Sequence, residues 1–156
     1  MPPFSIQNGK RVGTLLVALQ LGLLLVLAAL AAPNVMHGAI PAGAFLLAGT
    51  SVALAAWTLL HNRLGNFNIH PTPKVHGVLV TTGPYRWIRH PMYTSVLLGG
   101  AALVWSSGLL IGWVTWSALA IVLLKKSTLE ERWMGEKHPG YAAYMLGSKR
   151  FLPWLF

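Results

Sequence analysis

The residues with the most chemistry to offer lie between Gly83 and Tyr93. These eleven positions hold Arg86, Arg89, His90, two prolines and the aromatics Tyr85, Trp87 and Tyr93. Pro91 suits the first position of a helix, which places His90 at that helix's cap. A helix N-terminus presents unpaired N–H groups and positive potential. Two arginine forks beside it would suit an anion, either a carboxylate or a phosphate. The same arginines could also anchor the chain to lipid phosphates. The acids are scarce: Glu130, Glu131 and Glu136 are the three in the chain. At its plainest, Glu130 is a solvated helix residue paired with Lys126 at i,i+4, in the weaker Lys-first order. In the chemical reading, Glu130 or Glu131 turns back toward the Gly83–Tyr93 cluster and receives a cation. An anion binder beside a cation binder fits a zwitterion such as an amino acid moiety.

Other chemistries find little support. The chain has no cysteine, which excludes disulfides, thiolate nucleophiles and Cys-ligated zinc. His70 and His76 could be grouped with His90, but their spacing matches no zinc pattern and no carboxylate lies near them in sequence; no metal is expected. There is no glycine-rich phosphate loop and no Ser nucleophile elbow. A net charge of +9 is scattered among apolar runs rather than lined along a polar helix. Anionic lipid headgroups are therefore the expected partner, and nucleic acid is not.

The elements that must position these residues read as membrane helices. The chain of 156 residues is 54% hydrophobic and 10% charged, against about 25% charged in soluble domains, and its mean hydropathy is +0.57. Roughly 20 apolar residues cross a bilayer. A first span is expected at 12–32, ended by Pro33 and Asn34 and carrying one notable polar side chain, Gln20. Lys10 and Arg11 precede it, and its length speaks for a span rather than a cleaved signal. A second span is expected at 39–60, opened by Pro41. Residues 92–124 are apolar again but broken near Ser106–Gly108, too short for two full spans. All twelve Lys and Arg fall on one side if this block crosses twice, as the positive-inside tendency favours. Gly99 and Gly100 within it read as helix-packing positions. The expectation is an all-α integral membrane protein of four transmembrane helices (12–32, 39–60, 92–107 and 109–124), the last two a helical hairpin. The fourth helix extends past the bilayer toward Lys137, and His138–Gly140 breaks it. Both termini and the polar segments 61–91 and 125–156 are then cytoplasmic, and the hairpin brings His90 and Glu130 together.

From Val80 through Tyr93, with Glu130, Glu131 and Arg132, then Tyr141 and Tyr144, then Arg150 to Pro153, the sequence resembles the isoprenylcysteine carboxyl methyltransferases, which are similar to the phospholipid N-methyltransferases. The resemblance implies a single membrane domain that transfers a methyl group from S-adenosyl-L-methionine, held in a cytosol-facing pocket covered by the C-terminal segment. It implies cofactor contacts from Val78, Leu79, Val80, Tyr85, His90, Pro91, Tyr93 and Glu130. On the acceptor side it points to Arg89 and to Lys126, which stands where eukaryotic members carry an arginine. The acceptor would be a lipophilic or small molecule: an isoprenylcysteine-like carboxylate, a phospholipid amine or a thiol. A non-catalytic lipid-binding or assembly protein is the alternative, and it leaves the acids and the paired tyrosines without a role. A membrane reductase similar to the sterol reductases would need a nicotinamide site that no motif supplies. A topology reporter fused after Phe156 is expected to read cytoplasmic; an external signal would refute the four-span arrangement.

Overall fold

The computed structural model of the protein describes residues 6–62 and 77–154. Among them lie α1 (Ile6–Met36), α2 (Ala42–His61), a short 3-10 helix (Gly83–Arg86), α3 (Pro91–Ser107), α4 (Leu110–Lys137) and α5 (Tyr141–Gly147). The described residues contain no sheet, only an isolated bridge between Ile88 and Lys149. Expectations for Arg63, His70, Lys74 and His76 lie outside the described residues.

α3 is the helix the others pack around, with α1, α2 and α4 all against it. α3 and α4 run side by side in opposite directions. Two residues, Gly108 and Leu109, join them at one end. Midway, Trp116 Nε1 donates to the Leu97 carbonyl at 2.8 Å. At the far end His90 meets Glu131. The tight turn needs a left-handed residue, and Gly108 supplies it with φ 64°, its N–H returning to the Val104 carbonyl. A residue without a Cβ takes that conformation at little cost.

The bundle is apolar outside and partly polar inside. Leu25, Leu46, Val52 and Leu110 are each more than two-thirds exposed. Thr58, Ser95, Ser106, Ser107 and Ser127 are buried. In lipid, apolar side chains gain little by meeting each other, so close contact of small and hydrogen-bonding residues holds helices together. Ser51 Oγ accordingly donates to the Ser95 carbonyl across α2 and α3 at 2.7 Å. A Cβ on Gly100 would come within 3.1–3.4 Å of Trp116, Leu119 and Leu27, so its absence sets the α1–α3–α4 approach. Leu27, Val104, Leu119 and Leu123 form the apolar centre of that contact.

Among the described residues, three helices are long and apolar enough to cross a membrane: α1 from Arg11, α2, and α4. The 17 residues of α3 reach about 25 Å at 1.5 Å per residue, just under the ~30 Å hydrocarbon core. Two expected boundaries change. Pro33 does not end the first helix, which continues to Met36. A proline near a helix end forfeits little there, since later N–H groups still find carbonyls: His37 N reaches Pro33 O at 3.1 Å and Ala39 N reaches Asn34 O at 2.8 Å. The second helix starts at Ala42 rather than 39, with Pro41 at its cap. α4 does continue to Lys137, and His138 caps it.

Asn34 has a task across the bundle. Its amide donates to the Ser106 carbonyl at 2.8 Å and the Ser107 carbonyl at 3.3 Å, two groups left open where α3 ends. Asn34→Ala is expected to cost about 1 kcal/mol, read as a lower thermal midpoint in detergent, with folding otherwise intact.

Candidate active site

The expected cluster forms where α3 begins and α4 ends. The 3-10 helix carries Tyr85. Its start depends on Gly83, whose φ is 60° and whose missing Cβ leaves room for the His61 ring. Pro91 sits in the first turn of α3 with His90 as its cap. The C-terminal segment closes over them as a strap. Lys149 N donates to Trp87 O at 2.8 Å, Arg89 N to Lys149 O at 2.7 Å, and His90 N to Arg150 O at 3.1 Å. Thr94 Oγ1 adds a bond to Phe151 O at 2.8 Å. α5 joins in, with Tyr144 Oη donating to the Tyr85 carbonyl at 2.6 Å.

Inside this strap lies a buried carboxylate, Glu131. Arg89 Nε donates to its Oε1 at 2.7 Å and His90 Nε2 lies 3.2 Å from the same oxygen. Arg150 Nη2 donates to Oε2. Arg89 also bonds the Ser148 carbonyl, and Arg150 reaches Thr128 Oγ1 at 3.2 Å. The two arginines come from segments 61 residues apart and meet on one carboxylate. Glu131 was expected only as the alternative to Glu130 for receiving a cation, and Arg150 was given no site role from sequence. The second position of the Glu pair and the basic Lys149–Arg150 pair were the only signals.

Glu130 is placed differently. Its side chain is 33% exposed. Tyr93 Oη donates to Oε2 at 2.8 Å and His90 Nδ1 lies 3.5 Å from that oxygen. Oε1 carries no hydrogen bond among the described residues. His90 thus spans the two carboxylates, stacked on Tyr93 with ring centroids 5.2 Å apart and flanked by Phe151. Burial opposes charge on His90. The hydrogen bonds and charges of Glu130 and Glu131 outweigh it and raise the pKa above the ordinary histidine value. Burial first, then the charge of Glu130, pushes the Tyr85 phenol up, so Tyr85 remains neutral.

The remaining expected residues divide. Pro91 is buried in the first turn of α3. Val78, Leu79 and Val80 lie on the irregular stretch leading to the 3-10 helix, with Val78 exposed and the other two half-buried. Arg89 is held by Glu131 and by backbone carbonyls of the strap. Lys126 does not form the i,i+4 ion pair with Glu130. It is 2% exposed, donates to Gln20 Oε1 of α1 at 2.8 Å, and lies 5.1 Å from the Tyr93 ring centroid. A long side chain buried in a bundle bonds to whatever polar group faces it, and Gln20 is buried opposite.

The site therefore pairs a fully bonded ionic hub with one partly open carboxylate walled by tyrosines, beneath a C-terminal cover, at the end of a membrane helix bundle. A family model described as phospholipid methyltransferase matches residues 40–139. No curated protein and no solved structure matches the chain. The chain belongs to the phospholipid methyltransferase family, and its long apolar helices make it an integral membrane methyltransferase. The matched residues include Tyr85, His90, Tyr93, Lys126 and both glutamates. Gln20, Arg150 and the strap lie outside them.

The two acids should respond differently to loss of charge. Glu131→Gln strips a buried counter-ion from Arg89, His90 and Arg150 and is expected to cost about 3–5 kcal/mol of stability. Glu130→Gln, partly solvated, should shift the thermal midpoint by much less. Equal losses would refute the division.

Proposed function

We propose that the protein is an S-adenosyl-L-methionine-dependent methyltransferase of the bilayer, with Glu130 as the group that receives the cofactor's α-ammonium. The observation that carries this reading is Glu130 itself, a third exposed, with Tyr93 held on one carboxylate oxygen and no hydrogen bond on the other among the described residues. The residues present suit the cofactor. A carboxylate with one free oxygen suits its ammonium. Tyr85, Tyr93 and Trp87 offer aromatic faces for an adenine, and the irregular backbone at Val78–Val80 offers polar edges for it. Around Glu130 and Glu131 lie the guanidinium groups of Arg89 and Arg150 and the ring of His90, donor groups of the kind that suit the cofactor's carboxylate. When bound, S-adenosylmethionine would supply a sulfonium-activated methyl group that passes in line to the acceptor as the neutral thioether, S-adenosylhomocysteine, leaves. Tyr93 orients Glu130, His90 orients Tyr93 by stacking, and Pro91 starts α3 at the right height. Glu131 holds Arg89, His90 and Arg150, and through them the strap that excludes water. Alignment of this kind is worth up to about 7–11 kcal/mol in favourable cases.

The family supports a phospholipid amine as acceptor. A carboxylate of the isoprenylcysteine type or a small thiol are the finer variants of the same reading, with Lys126 on the acceptor side. The single domain spans the chain, with four crossings and both termini in the cytoplasm. The 17 residues of α3, at the lower end of the lengths that cross a bilayer, support the fourth crossing. A lipophilic acceptor then reaches the site from the bilayer, and the polar cofactor reaches it from the water.

Calorimetric titration of the purified protein in lipid nanodiscs with S-adenosylhomocysteine tests the reading. Saturable binding is expected, weakened about tenfold or more by Glu130→Gln, since a hydrogen bond to a charged group contributes about 1.5–3 kcal/mol. Absence of binding by the wild-type protein would sink it.

A further inference from the structure

Lys126 and Glu130 lie one turn apart on α4 and are opposite in charge, yet they do not pair. A buried ammonium in a region of low dielectric is drawn strongly to a carboxylate so close. Two contacts hold it elsewhere. Gln20 Oε1, buried on α1, accepts from Nζ at 2.8 Å, and the Tyr93 ring takes the ammonium at 5.1 Å from its centroid. The same tyrosine donates through its hydroxyl to Glu130 Oε2 at 2.8 Å. Tyr93 therefore stands between cation and carboxylate, and Gln20 pulls the cation to the far side. Gln20 is the one hydrogen-bond acceptor bonded to Lys126 among the described residues. It belongs to a helix outside the family-matched residues 40–139.

We infer that Gln20 is a positioning residue for ligand binding: by holding Lys126 on the α1 side, it keeps the Glu130 carboxylate open for the ligand's ammonium. This rests on the role proposed for Glu130. Without the Gln20 amide, the buried ammonium has no hydrogen-bond acceptor on that side. Its nearest compensation is the carboxylate one turn along its own helix, and an internal Lys126–Glu130 pair competes with any cationic ligand group for the same oxygen.

A double-mutant cycle on S-adenosylhomocysteine binding in nanodiscs tests this. Gln20→Leu, an apolar change within a membrane helix, should weaken binding about tenfold, equal to about 1.4 kcal/mol. Adding Lys126→Met removes the competing ammonium and should restore affinity to about the wild-type value. Gln20→Glu, which keeps an acceptor for Lys126, should bind like the wild type. The inference is overturned by unchanged affinity in Gln20→Leu. It is also overturned by a loss that Lys126→Met does not rescue, which would mark Gln20 as merely structural, or by a large loss in Gln20→Glu. The Gln20→Glu and double-variant arms decide the matter even where Gln20→Leu alone folds poorly. If wild-type protein binds no S-adenosylhomocysteine, the proposed function itself fails; normal wild-type binding with an indifferent Gln20 removes only this inference.

Discussion

The structure hinges on a buried carboxylate at the water-facing end of the bundle. Glu131 gathers Arg89 from the 3-10 turn region, His90 from the cap of α3 and Arg150 from the C-terminal strap. An unpaired carboxylate in such a place is costly, and so are unpaired guanidinium groups. Each is tolerable only while the others are present. Closure of the strap, the position of α3 against α4 and the orientation of His90 are therefore one electrostatic arrangement.

That arrangement frees Glu130 for other work. Two adjacent glutamates look interchangeable in a sequence, but successive helical residues point about 100° apart. One enters the hub, and the other takes the Tyr93 hydroxyl and stays partly exposed. The ionic hub is distinct from the open oxygen beside it, and this separation lets a rigid site keep a group available for a ligand. Lys126 extends the same logic into the bundle, where its ammonium is satisfied by a neutral amide and an aromatic face instead of a carboxylate.

Much of the fold was legible in the chain. Long apolar runs marked α1, α2 and α4. Gly108 marked the turn between α3 and α4, and His138–Gly140 marked the end of α4. Pro33 misled because a proline removes one backbone bond and bends the helix rather than stopping it at once, and only three residues of α1 follow it. Of the site, the segment from Tyr85 to Tyr93 and the glutamate pair stood out through residue types that are rare in an apolar chain. Arg150 and Gln20 were visible, but their roles were not. A terminal basic pair reads as solvated, and a lone glutamine in an apolar run carries no partner's name.

Composition and charge placement alone determined that this is an all-helical membrane chain with its polar chemistry gathered around Gly83–Tyr93 and Glu130–Glu131. Those are properties of runs and counts, which solvent partitioning reads without regard to contacts. Tertiary structure alone decided which glutamate is locked and which is open. It also decided that Lys126 turns to α1, and that the C-terminal strap completes the hub through Arg150. Each of these depends on the direction of a side chain and on what faces it 19 to 106 residues away in sequence. A linear pattern does not encode those facings; the packing of α1, α3 and α4 does.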